Sequence, residues 1–258
     1  MNSINRFGMV QGRLTQSPPG CLQWFPQEDW KDEFNVAADI GIEYIELIAE
    51  VQYNPENPIW TDDGIENIKQ LVKDNNLSLY ALCNDYIVEN SFLNKDVIQQ
   101  NLDLLEQGKK LGIMKYVMPF FDSSELSIDN MQEYIEPLRK VAKAANIKDI
   151  TVCLETILTG EELIKLLHLI NMPNVKAVYD TGNRVAFGHD LAVDIRLLGG
   201  AIAHVHIKDK NIDNENVLLG TGLVNFEDVF YALNDIGYSG PYTFETSRGS
   251  NPISTAKY

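Results

Sequence analysis

Short apolar runs alternate with longer stretches of helical period along the whole chain. The first run covers residues 6–11 and leads into a Pro/Gly-rich loop from Thr15 to Pro26. Residues 29–41 then put Trp30, Phe34, Ala37 and Ala38 on one face, with Gly41 as C-cap. Further strand-like runs fall at 42–48, 77–83, 115–121, 150–157, 175–179, 202–207 and 242–245. Between them the spacing predicts helices. One starts at Thr61 or Asp62 and carries Ile65, Ile68, Leu71 and Val72; a long one is opened by Asn94. Others cover 129–146, 159–170 (with a Thr159–Glu162 capping box), 191–198 and 225–236.

Strands joined by helices return the chain to the same sheet edge and lie parallel. Eight strands and seven clear helices within 258 residues fit a closed (β/α)8 TIM barrel, which typically takes ~250 residues. A doubly wound sheet would carry a glycine-rich phosphate turn after its first strand, whereas this chain reads Gln11-Gly12-Arg13-Leu14 there. The pattern therefore predicts an α/β barrel as a single domain over residues 1–258. Only thirteen residues follow Glu245, so the last helix is expected to be short or missing.

Charge and cysteine usage narrow the function classes. Lys plus Arg is 21 against Asp plus Glu 37, a formal net charge of −16. Such a surface repels phosphate backbones and argues against a nucleic-acid partner. The three cysteines are odd in number and far apart, which fits a reducing compartment better than a disulfide framework. The first residues lack an apolar leader core, and no run approaches ~18 apolar residues. The expectation is a cytoplasmic protein without a membrane partner.

The chemistry concentrates at the ends of strands five to eight. They read ITVCLETI, VKAVYDTGN, IAHVHIKDK and PYTFETSRG, and offer Glu155, Asp180, His206 and Glu245. Alternation puts Cys153, Val178, His204 and Thr243 on the same faces, with Leu154, Tyr179, Val205 and Phe244 opposite. All four polar ends can therefore face the mouth of the barrel, where barrel enzymes keep their sites. Three carboxylates and an imidazole converging on one point repel one another, and a divalent cation resolves the repulsion. Such an oxygen-rich set suits manganese, magnesium or cobalt, and zinc also fits. His204 reads as a satisfied interior histidine, His168 and His189 as surface residues, and Glu46 as a candidate for the lining of the mouth.

CLET, YDTGN, HVHIKD and FETSRG, together with GMVQGRL near the start and the loop LGTGLVNF, give the chain a resemblance. It resembles the xylose-isomerase-like TIM barrel superfamily, in particular its sugar (phosphate) isomerases and epimerases. The resemblance implies one divalent metal ion held by Glu155, Asp180, His206 and Glu245, with Glu155 and Glu245 doubling as the acid/base pair. It implies proton abstraction beside a carbonyl and a metal-stabilised enediolate. Reprotonation on the opposite face gives an epimer, and on the neighbouring carbon an aldose–ketose isomer. The partner is then a small sugar or sugar phosphate, and a homo-oligomer would be in keeping with relatives of this kind.

Two positions depart from the free-ketose 3-epimerases of the superfamily. Asn183 stands where they carry a histidine, and Ile212 where they carry an arginine. Lys208, Arg248 and Arg13 are cations near three strand ends. Arg248 with the Gly220-Thr221-Gly222 loop is the expected place for a phosphate. Candidate substrate ligands are Glu46, Asn183, Lys208, Arg248 and Arg13. His206 needs an acceptor for its other ring nitrogen. Asp209 is a candidate, although an ideal strand turns it to the wrong side.

Other readings share the fold. Loss of a β-hydroxyl after the same proton abstraction would make a metal-dependent dehydratase of a keto-cyclitol or shikimate-type substrate. An abasic-site endonuclease would need a three-metal cluster, more than four histidines and a basic face, which a charge of −16 does not provide. A non-catalytic sensor would not need the intact four-residue set, though fold alone never proves function.

Overall fold

The computed structural model describes residues 7–258. Arg6, where the first apolar run begins, lies outside the described residues. Eight parallel strands close into a barrel in chain order. They are β1 (Phe7–Val10), β2 (Tyr44–Ala49), β3 (Ser78–Asn84), β4 (Lys115–Phe120), β5 (Thr151–Thr156), β6 (Val175–Asp180), β7 (Ile202–Ile207) and β8 (Tyr242–Phe244). The first strand pairs with both β2 and β8, matching Gly8 to Tyr44 and to Thr243, and this pairing closes the ring.

Helices cover the outside: α1 (Trp30–Asp39), α2 (Asp62–Asp74), α3 (Tyr86–Glu89), α4 (Lys95–Leu111), α5 (Met131–Ile147), α6 (Gly160–Ile170), α7 (Thr181–Ala186), α8 (Leu191–Leu198), α9 (Phe226–Asp235) and α10 (Pro252–Ala256). Their starts are chemically marked. Thr61, Asn94 and Asn225 each accept a backbone N–H of the first turn, and Thr159 with Glu162 forms the reciprocal capping box. The eighth outer position is filled by the five-residue α10, so the last helix is short rather than absent. The single turns α3 and α7 are additions to the seven helices that periodicity reveals. No helix of the described residues is long and apolar enough to cross a membrane.

Outward-facing strand residues such as Leu154, Tyr179 and Val205 are fully buried under the helices. Removing each such apolar side chain from water contributes roughly 1.5–3 kcal/mol. The barrel interior differs. Below the mouth it holds a polar layer in which Tyr44 Oη donates to Thr243 Oγ1 at 2.6 Å, and the Tyr80 ring lies 5.6 Å from that of His204. All four residues are buried. This layer is the floor on which the residues at the strand ends stand.

Candidate active site

Strand ends β5 to β8 deliver their side chains as alternation demands. Glu155 is the penultimate residue of β5, and Asp180 ends β6. His206 is next to last in β7, and Glu245 directly follows β8. All four are buried. Asp180 also caps α7, accepting Asn183 N–H at 2.6 Å, while Asn183 Nδ2 donates to Glu155 Oε1 at 2.7 Å. Lys208 projects into the same space, its ammonium 3.1 Å from Asp180 Oδ2 and 2.8 Å from Glu245 Oε1. Its backbone is fixed by Thr181, whose hydroxyl donates to Lys208 O at 2.6 Å and accepts Lys208 N–H at 3.0 Å. Gly182 makes room for it: a Cβ there would lie 2.7 Å from Lys208 Cγ.

The imidazole of His206 is held from below. Its Nε2 donates to Glu46 Oε1 at 3.1 Å, and His204 Nε2 donates to Glu46 Oε2 at 2.6 Å. Thr243 Oγ1 also donates to Glu46, at 3.2 Å. Bonding through Nε2 turns His206 Nδ1 toward the mouth, 3.2 Å from Glu245 Oε2 and 3.8 Å from Asp180 Oδ2. The orienting acceptor of His206 is thus Glu46, not Asp209. Asp209 is buried and receives four backbone N–H groups, from Lys210, Gly220, Gly222 and Val224.

The carboxyl groups differ in electrostatic setting. Burial, with Asp180 and Glu245 close by, pushes Glu155 up to about 8. Burial also opposes the charge on Glu245, but Lys208, His206 and Arg13 outweigh it and hold this carboxylate well below its ordinary range. Glu46 falls to about 2, since His206 and His204 overcome the penalty of burial. Burial lowers His204, while for His206 the attraction of Glu46 and Glu245 exceeds the burial penalty and raises it well above the histidine range. Two carboxyl groups driven in opposite directions are the usual signature of a site that handles protons.

Three of the expected substrate ligands are engaged elsewhere. Both oxygens of Glu46 are bonded to His204, His206 and Thr243, although the residue does line the cavity floor. Arg13 is buried behind Glu245, donating to its Oε1 at 3.0 Å and to Thr246 O, and it does not line the cavity. Arg248 clamps the loop after β1 by donating to the carbonyls of Gly12, Thr15, Cys21 and Leu22. The expected phosphate loop is also occupied, because the N–H groups of Gly220 and Gly222 point at Asp209. Asn183 and Lys208 do line the cavity.

The loop after β1 is further held by Glu33 of α1. One oxygen of this buried carboxyl accepts Gly12 N–H at 2.7 Å and Leu14 N–H at 3.1 Å. Gly12 adopts a positive φ of 82°, and a Cβ there would strike Trp24 O at 1.8 Å, so only glycine fits.

The donor set fits a metal ion. Glu155, Asp180 and His206 each offer one ligand atom, and these lie within 4.8 Å of one another. His206 Nδ1 and Asp180 Oδ2 are buried and, among the described residues, make no hydrogen bond of normal geometry. A second trio, Glu46, His204 and His206, is equally close, but its facing atoms are already bonded to each other.

A sequence model of the xylose isomerase-like TIM barrel matches residues 34–257. The chain belongs to that family. Within the xylose isomerase-like barrels it is 22% identical over 233 residues to the L-ribulose-5-phosphate 3-epimerase UlaE of Escherichia coli, covering 84% of this chain and 82% of that one. The crystal structure of D-allulose 3-epimerase from Methylomonas sp. superposes with a TM-score of 0.73 at 22% identity, over 95% of this chain and 85% of that one. The IOLI protein, solved with a bound zinc atom, gives a TM-score of 0.76 at 18% identity, over 98% and 95%. These structural likenesses establish the shared fold.

Above the four strand ends the barrel opens into a cavity of about 320 Å3. Its walls include Gln23, Asp85, Val88, Phe121, Phe187 and Lys210, besides the residues already placed. Asp85 and Gln23 escape a reading of the sequence. Neither sits in a recognisable motif, and only closure of the barrel brings β1 and β3 loops to the same mouth as β5–β8.

Proposed function

We propose that this protein is a divalent-metal-dependent isomerase or epimerase of a small sugar, working by removal and return of a proton beside a carbonyl. The observation that carries the reading is the convergence of Glu155, Asp180, His206 and Glu245 at one buried mouth, with His206 Nδ1 turned toward the carboxylates by Glu46. Those four residues would hold the ion. Manganese, magnesium or cobalt suits three carboxylates and one nitrogen, and zinc also fits. When bound, the ion supplies Lewis acidity that makes a C–H beside a carbonyl easier to ionise.

The chain's own residues do the rest. Glu155 lies near the end of β5 and Glu245 directly after β8, with β6 and β7 between them, so their carboxyls would approach a bound sugar from two sides. One takes the proton and the other returns one. Asn183 Nδ2 orients Glu155, while Lys208, Gln23 and Arg13 hold Glu245. The relatives named above are epimerases of ribulose 5-phosphate and allulose, which supports epimerisation within this reading; a dehydratase is not an activity named for any of them. Residues 1–258 are proposed to act as one domain. The unpaired cysteines Cys21, Cys83 and Cys153 favour a cytoplasmic setting.

The test is conversion. Protein stripped of metal, and the same protein reloaded with manganese, is incubated with ketopentoses and ketohexoses, free and phosphorylated, and the products are separated by chromatography. The reading expects a new epimer or isomer from the reloaded sample alone. Equal conversion by the stripped protein, or a product lighter by one water, would overturn it.

A further inference from the structure

Asp85 follows β3 and is 3% exposed, yet nothing in the fold uses its carboxyl fully. It stands at the N-cap position of α3 but makes no capping hydrogen bond. Among the described residues Oδ1 receives only the Cys83 thiol, at 3.3 Å, and Oδ2 has no hydrogen-bond partner. A buried carboxyl without partners costs the fold free energy, and such a group persists where something outside the fold completes it. The carboxyl lines the same cavity as Glu155, His206 and Glu245, on its β3 side.

The charges around it limit what that partner can be. The loops after β3 and β4 bring Asp85, Val88, Phe121 and Asp122 to the cavity lining, together with Pro119 of β4. Lys208 is committed to Asp180 and Glu245. Lys210 stands on the β7 side of the rim and bonds Asn214 Oδ1 at 2.8 Å. Arg13, whose charge reaches Asp85, is buried and committed to Glu245, Gln23 and Thr246 O, so among the described residues a phosphate brought to the β3 side would meet carboxyl groups and no uncommitted cation. A sugar hydroxyl would find an acceptor. Burial raises Asp85 to about 7, so near neutrality the group can accept or donate a hydrogen bond.

We propose that Asp85 is a specificity-determining residue: its carboxyl takes a hydroxyl of the bound sugar on the β3 side of the cavity and keeps a phosphate away from that end. The inference rests on the sugar-converting function above and names the residue that would discriminate among its substrates.

The experiment compares manganese-loaded wild type, Asp85→Asn and Asp85→Ala on paired ketoses with and without a terminal phosphate. The isosteric Asn variant guards against misfolding in the Ala variant, and melting curves are recorded for all three. Wild type is expected to prefer the unphosphorylated partner of each pair by at least tenfold in kcat/KM. Asp85→Ala is expected to raise KM for that sugar at least tenfold while kcat stays within about threefold. Asp85→Asn, which keeps a hydrogen bond but loses the charge, is expected to narrow the preference. Calorimetric titration with an unreactive hexitol gives a readout free of turnover, and Asp85→Ala should weaken that binding at least tenfold. Unchanged KM and hexitol binding in folded variants, or a wild-type preference for the phosphate that Asp85→Asn leaves intact, would overturn the inference while the function stands. Absence of conversion of every sugar by metal-loaded wild type would instead remove the function and the inference together.

Discussion

Replacing Glu46 with Gln tests how the imidazole of His206 is set. The carboxylate is fully buried and accepts from His204, His206 and Thr243. An amide offers one oxygen and one NH2, so one of the imidazole N–H groups would confront another donor. Relief requires that ring to carry no proton on Nε2 and to keep its one proton on Nδ1. In His206 that places a proton on the atom facing Asp180 and Glu245. The depression of Glu46 from 4.5 to about 2 corresponds to roughly 3 kcal/mol of preference for the charged form in the folded state. Glu46→Gln should therefore destabilise the protein by about that much at pH 7, a fall in Tm of roughly 6–12 °C for a chain of this size. Losing the group that orients a ligating histidine typically weakens metal binding by about 10–100-fold. Urea unfolding and calorimetric titration with manganese measure the two effects. A variant that binds manganese as wild type does, with unchanged stability, would refute the role given to Glu46.

Other expectations follow from the same geometry. Glu155→Gln and Glu245→Gln should each lower kcat at least about a thousandfold, because each removes one of the two groups proposed to handle protons; a purified variant within tenfold of wild type would take that residue out of the mechanism. Glu33 is pushed up to about 7 by burial, against 4.5 when unfolded, so the native state holds the proton more tightly. Its contribution is fully present below pH 4.5 and is lost as pH rises through 7, a decline of roughly 3 kcal/mol. Glu33→Gln removes this decline, and the difference between the two urea-derived stability profiles should grow between pH 5 and 8; parallel profiles would contradict it. Asp209→Ala leaves four backbone N–H groups without their acceptor and should destabilise by about 3 kcal/mol or more, read by urea unfolding.

The barrel was legible because its signals are local. Strand runs alternate with amphipathic helices, and Asn94, Thr61 and the Thr159–Glu162 box mark helix starts within three residues of their partners. Single turns such as α3 and α7 are too short to show a period and pass unseen. At the site, alternation within each strand sufficed to turn Glu155, Asp180, His206 and Glu245 toward the mouth. Partners far apart in sequence were not legible. Glu46 and His206 are 160 residues apart, and nothing local distinguishes a carboxylate that binds substrate from one that braces an imidazole. Arg248 illustrates the same limit. Its charge suggests an anion, whereas its position gives it four loop carbonyls. Strand alternation already turns Asp209 away from His206; what it does not show is that β7 ends at Ile207 and the chain beyond it turns to bring four amides to that carboxylate.

The most direct measurement is isotope exchange. Manganese-loaded protein in heavy water is offered a mixed pool of ketoses, ketose phosphates and keto-cyclitols, and the masses are read. The account predicts a gain of about one mass unit on a particular sugar, as expected for removal of a carbon-bound proton and return of deuterium, and predicts that Glu155→Gln and Glu245→Gln abolish that gain. Loss of water, or conversion of a sugar without deuterium entering it, would contradict the account.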